Sequence, residues 1–435
     1  MGEHRKNGER YYMFGIFKYI EYSILILIGL CLCFLLVGIV RFFVGYFKKS
    51  SVIHSEKKAK FAIIIAARDE SKVIEANLKS IEKCDYPKDL YDIYLIVESK
   101  DDPTIEISKK FTDLNIHIFY RVNLNNVGKG FALDECLKYI YTSNDIYDAF
   151  MILDADNLIS KNFISRMNDA YQCGYDIACG KRENKDWNAS TVCGASALTF
   201  TIINTIQNKP KMNFGMNVLI SGTGFYFKAS VLRDYCGWPF HTLTEDYELT
   251  NYSIVHNLKS GYVEDAIFYD EQPLTMKQSI IQRTRWIKGY FTVQKKYKRD
   301  KIEVLKKNSK NRNMWYQIIG GIPMITLGIA LLVYLLILFI LFICDLVMKD
   351  THYWEYLSRM IYLVVAIYLF FILFTIYLFI LDRKTIKIKK FQRLKVIFYH
   401  PIFMTSYAYA AIRALFVKPT WDKIEHTINK DENEI

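Results

Sequence analysis

Three stretches of this chain are apolar for longer than a globular core requires. Residues about 22–46, 316–347 and 361–381 are each long enough, as helices, to cross a hydrocarbon layer roughly 30 Å thick. Lipid offers backbone groups no water, so helices are the form expected there. Composition agrees, with 51% of the 435 residues hydrophobic. The first run is too long for a signal-peptide core and lacks a convincing cleavage site, so it is expected to remain on the chain. A fourth run, about 396–417, contains His400, Pro401 and Arg413. It can span or lie in the interface.

Basic residues gather beside these runs. Residues 1–21 form a polar segment carrying Arg5, Lys6, Arg10 and Lys18, and Lys48, Lys49, Lys57, Lys58 and Lys60 follow the first run. Residues 382–395 are densely basic. Basic flanks favour the cytoplasmic side, so the sequence after the first run is expected to be cytoplasmic, on a multi-pass protein. Arg41, near the end of that run, is expected to snorkel to the interface. Lys349–Arg359 reads as a short polar loop with Trp354 and Tyr356 as interfacial anchors. Residues 276–312 are basic and aromatic and suit helices at the membrane surface, and the tail 418–435 is polar. The net charge of +12 suits anionic lipid or phosphorylated substrates. No nucleic-acid-binding motif accompanies it. Nine scattered cysteines without a Cys-x-x-Cys pair point to neither structural zinc nor a disulfide framework.

Between the first two runs, residues about 60–275 alternate strand-like and helix-like patterns. Strands are expected at Phe61–Ala67, Tyr91–Val97, Ile116–Arg121 and Ala149–Leu153, with helices around Asn77–Glu82, Pro103–Phe111 and Gly130–Tyr141. A β-α-β-α-β-α-β order implies an α/β fold with a mostly parallel sheet and ligands at the carboxyl ends of its strands.

The fourth strand runs Phe150-Met151-Ile152-Leu153-Asp154-Ala155-Asp156. On one strand face, Asp154 and Asp156 would repel each other unless a cation lay between them. A hard divalent ion carrying phosphate oxygens is a natural occupant, and a solvated turn is the plainer alternative. Four other clusters fall at expected strand ends or helix starts. Ala67-Arg68-Asp69-Glu70 follows the first strand, and Asp69 or Ser71 can cap a helix there. Glu98 and Asp101 follow the second strand, in a solvated turn or at the base or ribose of a nucleotide. Asn126-Val127-Gly128-Lys129-Gly130 permits close backbone approach to phosphates, with Lys129 as their cation, but it is not a Walker loop. Thr244-Glu245-Asp246, preceded by Ser221-Gly222-Thr223-Gly224, offers Thr244 as a helix cap or Asp246 as a general base. Gln282-Arg283-Thr284-Arg285-Trp286 is a basic membrane helix or a diphosphate and sugar platform, since an arginine pairs with phosphate and an indole offers a flat apolar face.

In this order, residues about 60–300 resemble the family 2 glycosyltransferases, and among them the membrane-embedded synthases of cellulose, chitin, hyaluronan and poly-N-acetylglucosamine. The resemblance implies a GT-A nucleotide-diphospho-sugar transferase domain flanked by transmembrane helices, a UDP-sugar donor and Mg²⁺ or Mn²⁺. It implies that Asp156 lies on the metal side and Asp154 contacts the donor. Asp246 becomes the base, flanked by Thr244 and Glu245, with Gly222 and Thr223 nearby. Gln282, Arg283, Arg285 and Trp286 hold the diphosphate and the acceptor sugar, and Ala67–Glu70 and Lys129 line the nucleotide pocket. Many relatives carry aspartate where this chain has Glu98, and Asp101 is its rival. The expected acceptor is a growing polysaccharide, or else a lipid that receives one sugar, since ceramide glucosyltransferases share the Arg-Trp motif. The plasma membrane is the expected location, with room for an accessory membrane subunit and no nucleic-acid partner. A non-catalytic sensor would predict degraded motifs, and these are intact.

Overall fold

The computed structural model describes residues 2–48, 52–143, 145–348 and 352–417. The expected tail of residues 418–435 lies outside the described residues. Two compact units divide the chain: residues 1–44 with 309–374, and residues 45–308 with 375–435.

The first unit is helical. Among the described residues, three helices are long and apolar enough to cross a membrane, Phe17–Phe47, Arg312–Val347 and Tyr353–Leu381. Two details differ from the sequence reading. Trp354 and Tyr356 stand in the first turns of the helix Tyr353–Leu381 rather than in a loop. Arg41 is held by protein: its Nη2 donates to Asn313 Oδ1 at 3.3 Å and its guanidinium lies 4.4 Å from the Tyr316 ring centroid. Glu21 is treated likewise, accepting from Arg359 Nη1 at 2.9 Å and from the Tyr334 hydroxyl at 3.3 Å. A charge among apolar helices is costly alone and tolerable when paired.

The second unit is built on one eight-stranded sheet. Its strands are β1 (Phe61–Ala66), β2 (Tyr91–Val97), β3 (Ile116–Tyr120), β4 (Ala149–Asp154), β5 (Leu158–Ile159), β6 (Ile177–Asn184), β7 (Phe225–Lys228) and β8 (Ser260–Asp270). Their spatial order is β3-β2-β1-β4-β7-β6-β8-β5. The pairs β1–β2, β1–β4, β2–β3 and β6–β8 are parallel. The pairs β4–β7, β6–β7 and β5–β8 are antiparallel. β1, β2 and β4 are near-continuous apolar runs because both faces are covered. Ile63, Ile65, Leu95, Met151 and Leu153 pack into one core, under the helices Ile74–Glu82 and Phe163–Gln172. Their alternates Ala62, Ile64, Ile96, Phe150 and Ile152 pack into the other, with the helix Lys129–Thr142.

Register brings the candidate clusters to one edge. Ala66 pairs with Ile96 on one side and with Asp154 on the other, so β1, β2 and β4 finish level. β7 runs the opposite way, and Gly224 N–H donates to Ile152 O at 2.9 Å, which sets the 221–224 loop beside the end of β4. β6 and β8 pair through Asn184 and Asp270, adding a second exit edge.

The helix Lys390–Phe416 packs on the helices Met276–Lys296 and Thr191–Thr201. It buries Val396, His400, Phe403, Ala410 and Ala414, and it exposes Phe391, Leu394, Phe398 and Ile402. It is not among the helices long and apolar enough to cross a membrane. All nine cysteines are free thiols.

Candidate active site

β4 ends at Asp154, so Asp156 lies in the following turn and not on a shared strand face as the sequence suggested. The two carboxylates are therefore held by different partners. Asp154 Oδ1 accepts from Lys129 Nζ at 2.5 Å, and among the described residues only this oxygen is engaged. Asp156 accepts from Asn157 Nδ2 at 3.3 Å and from Glu271 N–H at 3.4 Å. Asn157 ties the turn together. Its Oδ1 receives Asp154 N–H at 3.1 Å and the Thr223 hydroxyl, and its Nδ2 reaches Asp270 Oδ1 at 3.3 Å.

Lys129 opens the helix Lys129–Thr142 and also donates to Gly222 O at 2.8 Å. The loop 221–224 is thus bonded to β4 through Thr223 and to the lysine through Gly222. Gly222 has φ +80°, a conformation that strains any side chain. A Cβ there would also sit 3.8 Å from both Arg182 Nη1 and Asp246 Oδ2.

Glu245 and Asp246 begin the helix Glu245–Val255. Thr244 stands at the cap position, yet its side chain makes no capping bond, contrary to the plainer sequence expectation. Instead its hydroxyl and methyl fill the space left by Gly289, whose Cβ would come within 2.4 Å of Thr244 Oγ1. That close approach seats the helix on Met276–Lys296, helped by stacking of Tyr247 on Tyr290 and by the Lys296–Glu248 ion pair.

On the helix Met276–Lys296, Gln282, Arg285 and Trp286 are three and four residues apart and share a face, whereas Arg283 points away. Arg283 is buried against Lys390–Phe416. Its Nη1 donates to Phe403 O at 3.2 Å, and its guanidinium lies 4.2 Å and 4.4 Å from the Phe403 and Tyr407 ring centroids. The structure therefore makes Arg283 a helix–helix clamp and not a diphosphate ligand. Arg285 faces the acids: burial lowers its pKa, while Glu245, Asp246 and Asp154 act to raise it. Trp286 meets Phe200 edge-on at 6.0 Å, and Phe200 in turn carries the Arg182 guanidinium 3.9 Å from its ring centroid.

These charges interact as one cluster. Burial first, then Asp246, pushes the Glu245 carboxyl up to about 8, with Lys129 opposing. Burial also raises Asp246, against backbone N–H groups, Lys129 and Arg182. Burial works against the charge of Lys129, but Asp154, Glu245 and Asp246 outweigh it and hold the ammonium above its ordinary value. The result is a partly desolvated cluster in which two acids with raised pKa values face two cations.

Further from this centre, Ala67 is buried in the core and its N–H donates to Ile96 O at 2.9 Å. Asp69 adopts φ +53° and its N–H donates to Asp102 Oδ2 at 3.0 Å. Neither Asp69 nor Ser71 caps the next helix, which starts at Ile74 behind Val73. Glu70 closes that intervening turn, its carbonyl accepting from Val73 and Ile74 N–H. Arg68 Nε lies 3.1 Å from Glu98 Oε2. Asp101 is exposed, while Asp102 is buried and caps the helix Pro103–Ser108. Sequence reasoning missed Asn157, Asp270, Arg182 and Arg121. Asp270 carried a usable signal: like Asp154, it is an acid that ends an apolar strand.

Asp154 and Asp156 also bear on metal binding. Among the described residues no group of three or more His, Cys, Asp and Glu side chains forms a cage for a metal ion. Two carboxylates with oxygen donors only, one of them 36% exposed, fit a hard divalent cation that completes its shell with water and phosphate oxygens.

Residues 149–381 match the Glycosyl transferase family group 2 profile, and residues 62–235 match Glycosyl transferase family 2. Three curated relatives are similar over about half of this chain. The probable glycosyltransferase YdaM of Bacillus subtilis is 25% identical over 53% of this chain and 55% of its own length. Glucomannan 4-beta-mannosyltransferase 1 of Cyamopsis tetragonoloba is 24% identical over 55% of this chain and 47% of its own. The beta-monoglucosyldiacylglycerol synthase of Synechocystis is 24% identical over 52% and 47%. The chain thus spans about half the length of these relatives. Among solved structures, the mannosyltransferase PcManGT from Pyrobaculum calidifontis, in complex with GDP-Man and Mn²⁺, aligns over 90% of this chain and 99% of that one. Its TM-score is 0.53 at 13% identity, which shows a shared GT-A fold.

Proposed function

The chain belongs to Glycosyl transferase family group 2, and on that premise we propose that it transfers a sugar from a UDP-sugar to a growing polysaccharide, with inversion, at the cytoplasmic face of the plasma membrane. One observation carries the reading: Lys129 bonds both Asp154 and Gly222 O, and Gly222 lies against Asp246, so charged groups from separate segments meet at the end of β4, within electrostatic reach of Glu245 and Arg285.

The acceptor hydroxyl attacks the anomeric carbon from the face opposite the nucleotide. Its proton passes to Asp246 as the new C–O bond forms. The bond from the anomeric carbon to the β-phosphate oxygen breaks, and its electron pair leaves on UDP. Lys129 and Arg285 offset the charge that grows on the diphosphate. Trp286 offers the acceptor sugar a flat surface. Asp154 and Asp156 would hold Mg²⁺ or Mn²⁺, which when bound polarises the phosphate oxygens. Glu98, at the end of β2, is the donor-base carboxylate in this reading.

The membrane arrangement belongs to the same proposal. Three helices cross, the catalytic unit lies inside, and Lys390–Phe416 lies in the interface with its apolar face in lipid. A polysaccharide product needs a polar route outward, because sugar hydroxyls are costly to bury unpaired. Accessory membrane subunits are compatible with this. The similarity to a diacylglycerol-modifying synthase favours a second reading, transfer of one sugar to a lipid. Sizing the product made from radiolabelled UDP-glucose, UDP-N-acetylglucosamine or UDP-glucuronate decides: polymer supports the first reading, and one added sugar replaces it with the second.

A further inference from the structure

Arg121 follows β3 and belongs to none of the motifs above. Its side chain is only 4% exposed, and both terminal nitrogens meet acceptors, while Nε is buried without a partner among the described residues. Nη1 donates to Glu98 Oε1 at 3.0 Å. Nη2 faces Asn126 O at 2.7 Å, Asn123 O at 2.9 Å and Glu135 Oε1 at 3.1 Å. Glu135, on the helix Lys129–Thr142, uses its other oxygen to accept Val122 N–H at 2.7 Å and Asn123 N–H at 3.3 Å. One guanidinium therefore grips the carboxylate at the end of β2 and the 122–127 loop. That loop runs directly into Gly128, at φ +134°, and Lys129.

We propose that Arg121 is a positioning residue for the nucleotide-sugar, fixing Glu98 at the base end and Lys129 at the diphosphate end in one register. The proposal rests on the donor-site reading above. Glu98 is shared: the buried Arg121 holds Oε1, and the exposed Arg68 meets Oε2. The buried contact defines where the carboxylate stands, and the exposed one is free to yield when a base arrives. The loop is exposed, with Val122, Leu124 and Val127 largely in solvent, so little packing fixes it. Its register depends on the two carbonyls bonded to Arg121 and the two N–H groups bonded to Glu135. Arginine suits this task because its planar fork meets several acceptors at fixed angles, which an ammonium does not.

The test is Arg121→Lys in the full-length protein, which keeps the charge and loses the fork. We expect a folded protein whose donor KM and UDP dissociation constant rise about tenfold or more while kcat changes much less. Glu98→Gln should add little to that loss in the double variant, because both changes act through one carboxylate. If Arg121→Lys folds poorly, Glu135→Gln loosens the same loop from the helix side and should show the same KM-weighted loss. Unchanged UDP affinity in a folded Arg121→Lys protein, or additive effects with Glu98→Gln, would overturn the role of Arg121 alone. Wild-type protein that binds neither UDP nor GDP by calorimetry would overturn the donor-site reading, and the proposal with it.

Discussion

Lys129 Nζ lies 2.5 Å from Asp154 Oδ1 and 2.8 Å from Gly222 O, so one ammonium joins the end of β4 to the loop that faces Asp246. A donor diphosphate arriving here meets a cation already paired with one carboxylate. Lys129→Met should leave Asp154 uncompensated and weaken UDP binding by about tenfold or more. Calorimetry with UDP reads this directly. Equal affinity in the variant would remove Lys129 from the donor site.

Arg283 and Arg285 differ by two residues and should fail differently. Arg283→Met removes the clamp between Met276–Lys296 and Lys390–Phe416, so thermal stability should drop by about 1–3 kcal/mol. Donor KM in the folded fraction should hold. Arg285→Gln should keep stability and lose turnover, because its charge faces Glu245, Asp246 and Asp154. Thermal melts beside initial rates separate the two, and a swapped pattern would refute the face assignment.

That contrast marks how far the sequence could be read. The Gln-x-x-Arg-Trp spacing already put residues 282, 285 and 286 on one helical face and 283 elsewhere, but motif resemblance drew all four together. Strand ends expected at Ala67, Val97 and Leu153 fall within one residue of those at Ala66, Val97 and Asp154, because continuous apolar runs give way to polar residues there. The antiparallel β7, four residues long, was not, since so short a segment has no readable period. Asn157, Arg182 and Asp270 meet only through the fold, as single polar residues from separate segments. Arg283 is buried by a helix more than a hundred residues later, which no local pattern announces.

Glu245 carries a pH prediction. Its carboxyl is raised from 4.5 to about 8, chiefly by burial and then by Asp246. Between those values the folded protein keeps a proton that the unfolded chain has lost, so stability falls as pH rises through this window. Glu245→Gln removes the effect, and its melting-temperature advantage should grow from pH 5 to pH 8. Activity should follow: wild type should lose rate above about pH 8, as a second negative charge appears beside the diphosphate, and the variant should not. A pH-independent difference between the two proteins would contradict this.

Metal removal tests the turn after β4. Chelation by EDTA should stop transfer, and Mn²⁺ or Mg²⁺ should restore it. Asp156→Asn should raise the metal concentration needed for half-restoration by about tenfold, with Asn157 still holding the turn. Full activity in EDTA would exclude this use of the two carboxylates.

Sugar transfer at this site turns on Asp246 acting as the base. Its direct test is turnover of Asp246→Asn with the UDP-sugar donor shown by calorimetry to be bound. Base catalysis by Asp246 predicts wild-type donor affinity with turnover lowered by about 10²–10⁴-fold. Near-normal turnover in that protein would contradict it.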